Sequence, residues 1–311
     1  MIWRIPSKTF LVGEYAATAG GAALVLTTNP CFELRAHVPT IDNQNPTFVL
    51  KIKGHTDSFK STAEKNIHPH SPAGKWIQQS LRQNYFRWLD PYGGVGGLGA
   101  SSAQFLGVFL ASLQTSNLQT TPMPLTTLLN AYHNVAWSGE GTKPSGYDVI
   151  AQSQSGCVYI HLNKNEITSF DWCFSDLDFL LVHSGHKYAT HEHLKNVTLL
   201  HQDTSRLSLL AEQARIAFQT SNSSQLVESI NAYQQALESL GLSAPHSKAA
   251  LEKFRRHPEI LAAKGCGAMG ADVFLIVHAK HAAVSVKNEL LDQGWTILSS
   301  AENLYRENPL I

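Results

Sequence analysis

Apolar positions near the start of the chain come in short runs and alternations rather than at helical spacing. Phe10, Leu11 and Val12 run into a Gly-Glu turn, and Ala22 to Leu26 form a second apolar run. Cys31 to Val38 alternate, with Phe32, Leu34, Ala36 and Val38 against Glu33, Arg35 and His37. Such patterns predict strands, the alternating one half-buried. Thr47 to Lys53 alternate too, and the polar stretch 54–75 reads as a surface loop. Helical spacing predicts helices over Trp76–Trp88, from Phe105 to Leu113, and over Leu125–Ser138. Cys157–Leu162 and Asp178–His183 read as strands. Residues 191–240 read as two or three helices broken near Gln219–Ser224. A strand at Phe274–Val277, a helix over His281–Gln293 and a strand at Trp295–Leu298 close the chain. The change of character suggests two domains, 1–175 and 176–311, with no internal repeat.

Composition narrows the function classes. The 311 residues carry 24 Lys+Arg against 24 Asp+Glu, which disfavours a basic nucleic-acid binder. A 43% hydrophobic share with 15% charged residues supplies large cores and argues against disorder. Cys31, Cys157, Cys173 and Cys266 show no CxxC spacing, so reduced thiols in a cytoplasmic protein are expected. No apolar run is long enough to span a bilayer, and Glu14 interrupts the only signal-like stretch.

The most informative segment is Asp90–Ala103, DPYGGVGGLGASSA, with five Gly between Gly93 and Gly99 directly before an apolar helix. Glycines let backbone amides approach an anion, and a helix N-terminus adds partial positive charge. Ser101 and Gln104 match a capping box. Gly94, Gly96 and Gly99 fit the dinucleotide fingerprint, but no strand is evident at Leu89–Tyr92 and no acidic residue lies between Ala100 and Gly139. No Lys follows for a Walker A loop, and a nucleophile elbow is absent.

Three segments in order resemble the motifs of the GHMP kinases. They are Pro6-Ser7-Lys8-Thr9-Phe10-Leu11-Val12-Gly13-Glu14-Tyr15-Ala16, the segment Gly97–Ala103, and Lys264-Gly265-Cys266-Gly267-Ala268-Met269-Gly270-Ala271-Asp272. The resemblance spans the chain and is nearest the mevalonate kinase and phosphomevalonate kinase branch. It implies a two-domain α+β fold, a ribosomal S5 domain 2-like half followed by a ferredoxin-like half. It further implies ATP and Mg²⁺ as cofactors and a mevalonate-like small-molecule acceptor. Neither nucleic acid nor membrane is an implied partner, and the protein would be a monomer or homodimer.

The resemblance also distributes roles. Gly94, Gly96, Gly97, Gly99, Ala100, Ser101 and Ser102 would hold the phosphates. The metal-ligating hydroxyl is Ser101 in one register and Ser102 in the other, and Glu140 is the accompanying carboxylate. Asp148, in Pro144-Ser145-Gly146-Tyr147-Asp148, would contact the attacking hydroxyl, with Lys8 as its catalytic partner. Glu14, Tyr15, Ser145, Gly146, Thr190, Gly267 and Met269 would face the acceptor.

Three positions depart from the pattern. Ser7 replaces the usual Gly of the first motif, and Met269 and Ala271 replace small glycines of the third. These departures motivate two alternatives, a kinase for another small alcohol and a catalytically silent binding protein of the same fold. A separate possibility, a zinc site, arises from His183, His186, His191 and His193.

Overall fold

The computed structural model describes residues 1–37, 66–81, 85–115, 124–186 and 200–307. Strand β1, Ile2–Val12, pairs antiparallel along most of β2, Ala23–His37. β2 is long because two runs read separately in the sequence join into one strand. Its other edge has two partners. Ala23–Leu26 pair with β4, Cys157–His161, and Glu33–His37 pair with β3, Tyr85–Leu89. The hand-over falls around Pro30, which has no N–H to give to a ladder. β5, Glu166–Phe170, completes this five-stranded sheet beyond β4.

Helices α1, Pro72–Ser80, α2, Ala100–Thr115, α3, Leu125–Ala136, and α4, Tyr147–Gln152, belong to this half. α2 is apolar on most sides because it is enclosed. Its Phe105 and Phe109 meet Trp76 of α1, Phe105 meets Tyr132 of α3, and Gly107 sits close against Leu34 of β2.

The expected helix Trp76–Trp88 is corrected. The helix starts earlier, with Ser71 as its N-cap and Pro72 in its first turn, and ends at Ser80. Tyr85–Leu89 is instead a strand, because Phe86 and Trp88 alternate inward and Trp88 stacks on Phe32 of β2. The expected strand Thr47–Lys53 lies outside the described residues.

The second sheet has the order β7-β8-β6-β9 and is antiparallel throughout, from β6, Leu177–His183, β7, Ile260–Cys266, β8, Val273–Ala279, and β9, Thr296–Ser300. Helices α5, His201–Thr220, α6, Ser223–Ser239, and α7, Pro245–Phe254, connect β6 to β7. Helix α8, Ala283–Asp292, connects β8 to β9. This is a ferredoxin-like sheet with extra helices in its first crossover. The α5–α6 break falls at Ser221, in left-handed conformation, within the stretch the sequence marks as a break.

The two sheets share apolar packing. Leu24, Leu26 and Leu34 of the first lie in one buried cluster with Phe179, Leu181, Cys266 and Leu275 of the second, and with Leu207, Ala211 and Phe218 of α5. The opposite face of the second sheet packs on α7 and α8 through Phe274, Ile276, Leu251, Phe254, Val286 and Leu290.

Candidate active site

The first two motifs meet at Lys8. This residue lies in the middle of β1, where its N–H donates to the Leu98 carbonyl over 3.0 Å. Its side chain is buried, with the ammonium 4.9 Å from the Phe10 ring centroid. The Nζ atom reaches Asp148 Oδ1 at 3.0 Å. Asp148 lies in the first turn of α4, behind Gly146, whose φ of +77° is the left-handed conformation the turn requires. A Cβ at Gly146 would sit 2.4 Å from Leu129 Cδ2, so a larger residue would push the turn off α3. The Asp148 side chain is 37% exposed against 10% for Lys8, so the pair presents its carboxylate to solvent.

The Gly-rich loop is braced from below and open above. Gly99 packs on Lys8, and a Cβ there would lie 2.7 Å from Lys8 Cγ. Gln152 is fully buried, and its amide donates to the Pro6 carbonyl at 2.8 Å and the Gly99 carbonyl at 3.1 Å. Ser102 donates to Gln152 Oε1 at 2.7 Å. The Ser102 hydroxyl therefore faces inward, while Ser101 is exposed. The expected capping box does not form, because Ala100 is already helical and Ser101 lies inside the first turn. The first ladder bond runs from Ala103 N–H to the Gly99 carbonyl, so the amides of Ala100, Ser101 and Ser102 precede the ladder. Gly93 and Gly94 both have positive φ, and nothing lies within 4 Å of where a Cβ would project. That combination leaves an open, amide-rich turn.

Ser7 is explained by the same loop. It is fully buried, donates to the Thr28 carbonyl at 2.9 Å and lies 3.0 Å from the Tyr92 hydroxyl. Tyr92 donates in turn to the Pro30 carbonyl at 2.8 Å. The extra hydroxyl, where related motifs carry Gly, ties the start of the loop to β1 and β2.

The third motif lies against the second. Gly97 approaches Asp272, where a Cβ would come within 2.8 Å of the Asp272 Cβ. Gly267, with φ of +87°, is half-buried and would clash with the same carboxylate. Met269 is half-buried with φ of +56°, and its N–H donates to the Tyr15 hydroxyl at 3.2 Å. Tyr15 is buried, and burial pushes its phenol well above the ordinary value. Glu14 is committed to Lys264, whose Nζ lies 2.5 Å from Glu14 Oε1 and donates to the Gly265 carbonyl at 2.9 Å. Burial disfavours the Lys264 ammonium, but the surrounding Cys266 and Glu14 outweigh it and hold its pKa above the ordinary value. Glu14 and Tyr15 thus join the first motif to the third through buried bonds.

Ser145 is half-buried and Glu140 is exposed in the turn before α4. Thr190, His191 and His193 lie outside the described residues. Among the described residues no group of three or more His, Cys, Asp or Glu is placed to hold a metal ion. His183 is half-buried and His186 exposed, and burial lowers the His183 pKa. Sequence reasoning passed over Gln152 and Lys264 as site-building residues. Gln152 carries no motif signal, whereas Lys264 stands at the head of the third Gly-rich segment.

A structural comparison identifies the fold. The chain has the fold shared by the GHMP kinases. Mevalonate kinase from Methanococcus jannaschii superposes with a TM-score of 0.70 over 99% of this chain and 98% of that one, at 15% identity. Phosphomevalonate kinase from Streptococcus pneumoniae, solved with phosphomevalonate and AMPPNP, gives 0.73 over 96% and 99% at 15% identity. Galactokinase from Lactococcus lactis, solved with galactose, gives 0.70 over 99% and 94% at 11% identity. No protein-family model matches the chain, and no curated protein matches it by sequence. Among the described residues no helix is long and apolar enough to cross a membrane.

Proposed function

We propose that this protein is an ATP-dependent kinase that transfers a γ-phosphoryl group to mevalonate or phosphomevalonate. The observation that carries the reading is the Lys8–Asp148 pair at 3.0 Å, set directly against the amide-rich loop through the Lys8–Leu98 bond. Phosphoryl transfer needs positioning and charge stabilisation more than covalent help from the protein. The amides at the start of α2 and the open turn at Gly93 and Gly94 suit a polyphosphate. Ser101 and Glu140 are exposed oxygen donors of the kind Mg²⁺ prefers, and would hold it. The bound metal would supply charge neutralisation on the phosphates.

With an alcohol acceptor, Asp148 takes the hydroxyl proton as the oxygen bonds the γ-phosphorus and the bond from that phosphorus to the bridging oxygen breaks, releasing ADP, while Lys8 offsets the charge developing on the attacking oxygen. With a phosphate-monoester acceptor the attacking oxygen is already anionic. Lys8 then orients it and offsets its repulsion from the transferred group, while Asp148 holds the Lys8 ammonium in place. The fold neighbours that act on mevalonate and phosphomevalonate support this acceptor class. Four free thiols support a reducing, cytoplasmic setting, and the acceptor side would act in a monomer or a homodimer. The division into a nucleotide-binding part, 1–175, and a second part, 176–311, belongs to the same proposal.

The test is a coupled ADP-release assay over mevalonate, phosphomevalonate, homoserine and galactose. Turnover with one of the first two is expected. Turnover only with homoserine or galactose would move the acceptor assignment, and none with any acceptor would favour the silent binding protein that the altered third motif suggests.

A further inference from the structure

Three buried polar atoms without partners fall within five residues, all at the start of α7. They are Ser243 Oγ, His246 Nε2 and Ser247 Oγ. Ser243 is 5% exposed and Ser247 is fully buried. A buried hydroxyl ordinarily finds a hydrogen-bond partner, so two idle ones beside an idle imidazole nitrogen mark a place built for something else to bond. The backbone agrees. Pro245 has no N–H, and the first ladder bond runs from Lys248 N–H to the Ala244 carbonyl at 3.0 Å. The amides of His246 and Ser247 therefore stand at the positive end of a ten-residue helix with no side-chain cap. Helical side chains lean toward the N-terminus, so the Ser247 hydroxyl leans toward those same amides.

The turn belongs to the third Gly-rich segment. Ala244 N–H donates to the Met269 carbonyl at 2.9 Å, and the His246 ring, whose pKa burial lowers, lies near the Ala271 carbonyl. Met269 connects onward to Tyr15 at the end of β1. The carboxylate of this segment, Asp272, lies instead against Gly97 and Gly267. The exposed His186 ring lies tilted against the His246 ring, with 4.2 Å between centroids.

We propose that the first turn of α7, with Ser243, Ser247 and His246, is a binding subsite for a phosphate-type anion, and that in the working enzyme it holds the phosphate monoester of the acceptor. Two amides and two hydroxyls match the oxygens of one phosphate group, and the neighbouring His246 ring reports on its binding. The anion site itself is independent of the kinase reading; its assignment to the acceptor rests on that reading and selects a phosphorylated acceptor over a plain alcohol.

Inorganic phosphate is titrated into the full-length protein while histidine C–H resonances are followed by NMR, with His246→Gln identifying the His246 signal. Phosphate should shift that signal saturably, and Ser247→Ala should weaken phosphate binding by about tenfold or more, with Ser247→Thr restoring it. Phosphomevalonate should compete for the same signal and mevalonate should not. If phosphate binds but phosphomevalonate does not compete, the site serves free phosphate and the acceptor assignment is overturned. An unmoved His246 signal, or a shift unchanged in Ser247→Ala, overturns the subsite altogether and leaves the turn a water pocket. The wild-type titration needs no variant to fold, and it reads binding whether or not ADP release is seen.

Discussion

Two lysine–carboxylate pairs stand a few residues apart on β1 and its exit, and they are built oppositely. Lys8 and Asp148 meet at 3.0 Å with a carboxylate 37% exposed, beside an open loop. Lys264 and Glu14 meet at 2.5 Å with the lysine fully buried and the carboxylate 8% exposed. The first arrangement leaves a carboxylate oxygen in reach of a reactant. The second spends its charges on each other and on the Gly265 carbonyl, joining the first motif to β7. A lysine beside a carboxylate is thus open to a reactant in one place and holds position in the other, and exposure of the carboxylate separates the two arrangements.

The comparison can be broken most sharply at Asp148. Asp148→Asn should lower kcat by roughly 10²–10⁴-fold with a loss of unfolding free energy of only about 1–2 kcal/mol, since the amide oxygen still accepts from Lys8, read by ADP release and urea titration. A near-native rate would remove Asp148 from the mechanism. Lys264→Ala should act the other way, destabilising the fold by about 3–5 kcal/mol, because it strands a buried carboxylate. Pairing Lys264→Met with Glu14→Leu should recover most of that loss in the same urea titration, and a single-variant loss below about 1 kcal/mol would deny the pair its structural role. The smallest contrast lies between adjacent serines. Ser102→Ala should cost about 1–2 kcal/mol of stability by leaving Gln152 Oε1 unpaired. Ser101→Ala should leave thermal unfolding unmoved and raise the KM for ATP. Equal effects at the two positions would erase the inward and outward assignment.

The sequence exposed the reactive pair more readily than its supports. Lys8, Asp148 and the Gly93–Gly99 turn sit in segments whose glycines and charges are legible without tertiary context. Strand β3 was hidden, since Tyr85–Leu89 follows a helical stretch and becomes a strand only because β2 offers an edge to Phe86 and Trp88. The choice between Ser101 and Ser102 was equally closed to spacing, because it depends on a partner 50 residues away, Gln152. Glu14 reads as a polar residue near a site, and only the fold shows the lysine, 250 residues on, that claims it. Short-range pattern gave the parts proposed to face ligand, and long-range pairing decided the parts that face inward.

The apolar cluster running from Leu24 and Leu34 to Phe179 and Leu275 bears on how the molecule comes apart. Neither sheet has a private interior on that side. Heat or denaturant should therefore melt both in a single cooperative transition, and a chain severed near residue 175 would leave each fragment with half of a hydrophobic seam. Swinging the halves apart would wet that seam.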